Sequence, residues 1–231
     1  MASWLSFRVL ACLFLLSTLS VPHSVRADPS SDFQVIEDFS RYDLGDFPKW
    51  WKTWPFHRGK AKQVYRVAQE GEKFFLAAKP DPALSEQIYH GFYWDADSFP
   101  YLNWRWRAHV LPKGAAENDP QTNDSACGVY IVFGRTSGTS LKFVWSSTLK
   151  TGTVFEKKPG EVVFQVLDSG TQYLNQWRGH SIPVAQVFET LLKRKMDREP
   201  TGFAVLTDGN ATRTASACDY ADFTISKTPK Y

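Results

Sequence analysis

Leu102-Asn103-Trp104-Arg105-Trp106-Arg107-Ala108 alternates large apolar with polar side chains at a period of two, the pleat of a β-strand and not the 3.6-residue repeat of a helix. Trp104 and Trp106 therefore share one face and Arg105 and Arg107 the other. The indole face is the one a core would take. Two guanidiniums are too costly to bury without partners, so their face must meet water, carboxylates or a ligand. His109 continues that polar face. Leu141, Phe143 and Trp145 alternate with Lys142 and Val144 in a weaker form of the same division.

Short segments rich in Val, Ile, Phe, Tyr and Trp recur on either side, separated by Gly, Pro, Asn and Asp, which is the signature of an all-β sandwich or barrel. The pattern predicts strands at 34–39, 62–68, 73–78, 86–94, 101–111, 128–134, 141–146, 161–167, 174–180, 202–207 and 218–226. One helical face interrupts it: Val184, Val187, Phe188, Leu191 and Leu192 fit a single helix starting near Ser181, at about 182–196, that ends before Pro200. Strands and helices do not alternate, so an antiparallel two-sheet arrangement is expected. The longest loop, 112–125, is of a length often associated with function.

The first 27 residues read as a signal peptide. Arg8 forms a positive start, Val9 to Leu19 an apolar run shorter than the roughly 20 residues that span a bilayer, and Val25-Arg26-Ala27 a cleavage site. Residues 28–231 then form one β-sandwich domain, exported to the periplasm or beyond, with no membrane span after cleavage. The formal charge of +3 falls to +1 once Arg8 and Arg26 are removed. That balance lacks the basic field of a nucleic-acid-binding protein, and Lys193-Arg194-Lys195 is the only basic run of note. Two cysteines remain, Cys127 and Cys218, and an even pair in an oxidising compartment implies a disulfide closing a long loop.

Several stretches carry a resemblance to a family of exported bacterial proteins classed only as a domain of unknown function. They are Asn103-Trp104-Arg105-Trp106-Arg107, Asp124 with Val129-Tyr130-Ile131-Val132-Phe133, Trp145-Ser146, Gln176-Trp177-Arg178, Glu199-Pro200, Gly202-Phe203-Ala204-Val205, Thr207-Asp208 and Asp222-Phe223. The resemblance implies a concanavalin-like jelly roll in the cell envelope and supplies no activity. The family pattern carries an acidic pair and an arginine where this chain has Asn123, Asp124 and Gly128. The cysteine pair is a local addition to it.

No motif names a reaction: there is no G-x-S-x-G elbow, no H-E-x-x-H helix and no E-x-D-x-x-E strand. His57, His90, His109 and His180 lack metal-ligand spacing. Sandwiches of this kind bind glycans along a concave polar sheet, with aromatic faces on sugar C–H surfaces and polar groups on the hydroxyls. The expected contacts are Arg105, Arg107, Asp124 and Asp208, with Trp145 as the stacking surface. Trp51, Trp104 and Trp106 are expected in the core, and Trp54 and Trp145 exposed. Asp208 also lies in a Thr-Asp-Gly-Asn stretch that a turn would explain. Glu117, Asp119, Asn123 and Asp124 offer oxygens for calcium, although they match no calcium motif. Two other readings stand beside glycan binding. One is a glycan-active hydrolase or lyase using Asp124 or Asp208 with Arg107 or His180. The other is an envelope structural or assembly protein, which would show a broad apolar patch.

Overall fold

The computed structural model describes residues 31–79, 82, 85–134 and 138–231. The predicted signal segment lies outside them. Along the chain run β1 (Phe33–Glu37), α1 (Arg58–Val64), β2 (Tyr65–Glu70), β3 (Lys73–Ala78), β4 (Ile88–Gly91), β5 (Tyr101–Val110) and β6 (Cys127–Phe133). They are followed by β7 (Ser140–Ser146), β8 (Val154–Lys158), β9 (Val162–Ser169), β10 (Arg178–Pro183), α2 (Val184–Leu192), β11 (Pro200–Leu206) and β12 (Ala217–Ser226). A first sheet has the order β10-β5-β12-β3-β2, with β1 also paired to β12, and a second the order β4-β11-β6-β7-β9-β8. The two pack face to face as a jelly-roll sandwich.

The tryptophan-arginine strand is β5, and its period of two sets the first layer. Trp104 and Trp106 are fully buried between the sheets. Their rings lie 5.6 Å from Phe143 and 6.5 Å from Trp145 on β7 of the opposite sheet. Each such aromatic contributes on the order of 1.5 to 3 kcal/mol by leaving water. Trp51 is equally buried, as expected. Its indole N–H donates to Glu37 at 3.1 Å, beside the Phe39 and Phe203 rings. Cys127 on β6 and Cys218 on β12 form the expected disulfide, a covalent tie between the two sheets across 91 residues.

Most predicted strands fall within a few residues of the observed ones, and four local differences have physical reasons. Residues 58–64 are helical where 62–68 was expected as strand, because Ala61 and Val64 form an inward stripe that runs directly into β2. β8 was not anticipated: it is an edge strand whose Glu156, Lys157 and Lys158 are all exposed, so no apolar alternation marks it. The chain passes out to β8 and returns as β9, which makes β7 and β9 a parallel pair in an otherwise antiparallel scaffold. α2 is shorter than the expected 182–196 and stops at Lys193 in the left-handed conformation, φ 56°. Its Phe188 caps one end of the core against Phe133 at 4.7 Å. Among the described residues no helix is long and apolar enough to cross a membrane.

Candidate functional site

The arginine face of β5 is not an open recognition surface. Arg105 and Arg107 keep only 16% and 13% of their side chains exposed, and both are ion-paired. Arg105 pairs with Asp222. Arg107 bonds Asp219 at 2.8 Å and Glu70 at 2.9 Å, and His109 reaches the same Asp219 oxygen at 2.7 Å. Trp177 covers the two guanidiniums, with its ring 5.3 Å from Arg105 and 4.6 Å from Arg107. Asp222 reaches Arg105 from a β-bulge in β12, where it adopts a φ of 57°. Asp219 and Asp222 stand more than 100 residues away in sequence, which is why the strand alone suggested free cations.

Two other predicted contacts also turn inward. Trp145 is fully buried, not exposed, and its indole N–H donates to the Gly170 carbonyl at 3.0 Å, so it offers no stacking surface. Asp124 is fully buried and fastens the loop between β11 and β12, accepting the Ala211 N–H at 3.0 Å and the Thr212 N–H and hydroxyl at 2.7 and 2.6 Å. The loop acids do not converge as a calcium site would require. Asp119 accepts the Gln121 N–H, Asp124 is occupied as described, and Glu117 turns toward β7. Among the described residues no group of three or more His, Cys, Asp or Glu is placed to hold a metal ion. A depression of about 510 Å³ near Tyr93, Gly134 and Met196 contains none of the predicted residues.

Polar groups converge instead on the outer face of the second sheet. Strand register aligns Tyr89, Ala204, Tyr130, Lys142, Phe164 and Phe155 in one row across all six strands. Lys142 sits at the centre, only 2% exposed, with its ammonium 5.2 Å from the Tyr130 ring and 4.8 Å from Phe164. It donates to the Ser125 hydroxyl at 3.2 Å. Gly128 gives the lysine its path: a Cβ there would stand 2.9 Å from Lys142 Cε and 3.0 Å from the Leu206 carbonyl. Gly128 thus leaves room that any side chain there would take from the Lys142 stem.

Asp208 enters this cluster from the end of β11. It is buried and accepts the Ser125 N–H at 2.8 Å and the Ser85 hydroxyl at 3.4 Å. Glu117 enters from the long loop, 3% exposed, and one oxygen accepts the Ser146 hydroxyl at 2.6 Å. Its other oxygen, Oε1, is buried and has no hydrogen-bond partner among the described residues. The loop is fastened there by the Ser147 and Thr148 hydroxyls, which donate to the carbonyls of Pro112 and Ala115, each at 2.7 Å.

Burial raises both carboxyls above their ordinary range, with Asp208 adding to the rise of Glu117 and Asp124 to that of Asp208, while Lys142 opposes both. Burial also opposes the charge on Lys142, yet the Tyr130 oxygen and Asp208 hold its ammonium above the usual lysine range. Tyr130 is raised chiefly by burial. Two carboxyls whose burial favours the protonated form, one confined cation and one phenol therefore share a partly enclosed surface. Such a set can donate and accept hydrogen bonds and move a proton.

Fold and site together define a two-sheet β-sandwich with a charged, aromatic-lined cluster on the outside of one sheet. The chain belongs to the family described as Protein of unknown function (DUF3047), whose model matches residues 49–224. No curated protein matches it. Among solved structures it is similar to the family 11 carbohydrate-binding module of the cellulosomal cellulase Lic26A-Cel5E of Clostridium thermocellum, with 6% identity over 86% of this chain and 96% of that one and a TM-score of 0.42. It is similar also to the xyloglucanase domain of NopAA, a type three effector from Sinorhizobium fredii, with 10% identity, coverage of 72% and 89%, and a TM-score of 0.38. A third is CBM29_1, a family 29 carbohydrate-binding module from Piromyces equi, with 11% identity, coverage of 85% and 90%, and a TM-score of 0.31.

Proposed function

We propose that the protein is exported and binds a glycan or another envelope polymer across the outer face of the second sheet. The observation that carries this reading is the row Tyr89–Ala204–Tyr130–Lys142–Phe164–Phe155, an aromatic track with a charged centre. Half-buried Tyr89, Tyr130 and Phe155 present ring surface to sugar C–H groups, while buried Lys142, Asp208 and Glu117 lie behind these rings and set the charge of the face. The cross-sheet disulfide supports export, because such a bond persists in an oxidising compartment. In glycan-array and titration binding, Tyr130→Ala and Phe155→Ala are expected to weaken the best polymer at least tenfold. Arg105→Ala, on the other sheet, leaves it unchanged. Full binding by Tyr130→Ala would overturn the assignment of the face.

Cleavage of the bound glycan is a second reading, favoured by one observation: Glu117 from the long loop and Asp208 from the end of β11 enter the same cluster around Lys142, and burial favours the protonated form of each. Glu117 would then donate its proton to the leaving oxygen as the glycosidic bond breaks, and a water giving up a proton to the Asp208 carboxylate would form the new bond to the anomeric carbon. Release of new sugar ends by the native protein, abolished in Glu117→Gln without loss of binding, supports it. Release by neither leaves binding alone.

A further inference from the structure

Every charged residue between Phe47 and Gln69 is a cation: Lys49, Lys52, Arg58, Lys60, Lys62 and Arg66. The same stretch holds the most exposed aromatic side chains described, with Phe56 at 102% and Trp54 at 64%. Phe56 stands out at a left-handed φ of 68°, a conformation costly for a bulky residue, so the backbone is strained at the point where an apolar ring is held in solvent. The segment is nonetheless anchored. Arg58 donates to the carbonyls of Trp51 and Lys49 at 3.3 and 3.0 Å, Thr53 donates to the Gln87 carbonyl at 3.2 Å, and His57 lies 3.0 Å from buried Glu86. Below it, α1 buries Ala61 and Val64 and leaves Arg58, Lys60 and Lys62 exposed.

We propose that residues 49–62 form a peripheral docking surface for an anionic lipid bilayer, with Trp54 and Phe56 entering the headgroup region and the surrounding Lys and Arg facing lipid phosphates. Charge complementarity selects a negative partner, since the stretch carries no carboxylate. Phe56 selects a bilayer over a soluble polyanion, because a fully exposed ring without a polar atom gains most by leaving water altogether. Trp54, apolar at one end and wet at the other, is a residue suited to the interface. Basic groups near such a surface and inserted rings act jointly, so neither alone suffices. This surface is separate from the aromatic track and independent of the glycan reading.

The test uses residues 28–231, which contain every described strand of both sheets, and vesicles of equal phosphatidylglycerol and phosphatidylcholine beside vesicles of phosphatidylcholine alone. Flotation is expected to recover the protein with the anionic vesicles, at least tenfold less with the neutral ones, and progressively less as salt rises. Trp54→Ala with Phe56→Ser should lose at least tenfold in anionic partitioning, and Lys49→Glu with Lys52→Glu should lose a similar amount and most of the salt dependence. Tyr130→Ala should partition like the native protein, and circular dichroism melting verifies that each variant is folded. Equal flotation of native protein and the Trp54/Phe56 variant overturns the proposal, as does failure to float. A soluble acidic polysaccharide that captures the native protein through Phe56 and prevents flotation would overturn it in favour of a glycan occupant.

Discussion

Glu117 Oε1 is a buried acceptor to which no described group donates, and an unpaired buried oxygen costs roughly 1 to 3 kcal/mol. Its carboxyl is also pushed up by burial, which makes its contribution to stability depend on pH with a definite sign. An acid held above its unfolded value binds its proton more tightly when folded. Its contribution is therefore most favourable below the ordinary glutamate value of about 4.3 and is lost as pH rises through the folded value. Glu117→Gln keeps an acceptor for Ser146 and removes the ionisation. Urea denaturation should find this variant more stable than the native protein at pH 7, with the gap closing toward pH 4. A gap independent of pH would mean that Glu117 is not confined as described. A residue that lowers stability at neutral pH is the kind that binding or catalysis retains.

β1 and β4 lie on different sheets and meet through a polar knot that their strand patterns do not announce. Glu37 on β1 accepts the Tyr42 hydroxyl at 2.8 Å and Arg41 at 2.9 Å, and Arg41 also donates to His90 Nε2 on β4 at 3.2 Å. The imidazole must be neutral to accept that bond, and burial lowers its pKa to about 4. A histidine depressed in the folded state gives stability above its ordinary value near 6.5 that is lost as pH falls toward 4, here on the order of 3 kcal/mol. His90→Gln, which preserves an acceptor for Arg41, should lack that acidic decline in denaturant midpoints between pH 6.5 and 4. A native protein with no more acid sensitivity than the variant would refute the neutral, buried histidine.

The same elements show what a sequence discloses. Strands were legible wherever one face is core, because period-two alternation and Gly or Pro turns report burial directly. Trp145 shares the parity of Leu141 and Phe143, so the period already pointed it inward, against the expectation that it was exposed. Lys142, of opposite parity, was visible only as a polar interruption. Its meeting with Asp208, Glu117 and Tyr130 arises from strand order and a folded-back loop, which local spacing cannot encode. The basic stretch at 49–66 forms no charge run in the sequence, because its cations are interleaved with aromatic and other uncharged residues.

At the scale of the molecule, two sheets of opposite chemical character are joined by one covalent bond. The first sheet seals its outer face with Arg105–Asp222 and Arg107–Asp219 pairs, whereas the second keeps Lys142, Asp208 and Glu117 beside partly accessible rings. Cys127 and Cys218 lie on β6 and β12, one strand in each layer, and close a loop of 91 residues. On the chain-entropy account a loop of that length contributes roughly 4 to 5 kcal/mol by restricting the unfolded chain. Domains are typically stable by only about 5 to 15 kcal/mol, so this tie supplies a large share of the total. Replacing both cysteines by alanine, or adding a reductant, should lower the unfolding free energy by that amount in urea while the far-ultraviolet spectrum at zero denaturant stays that of a β-sandwich. Because β6 also carries Tyr130 and Gly128, loosening the sheets should weaken polymer binding before the fold is lost. An unchanged midpoint after reduction would show that apolar packing alone holds the layers together, and that the bond does not position the proposed binding face.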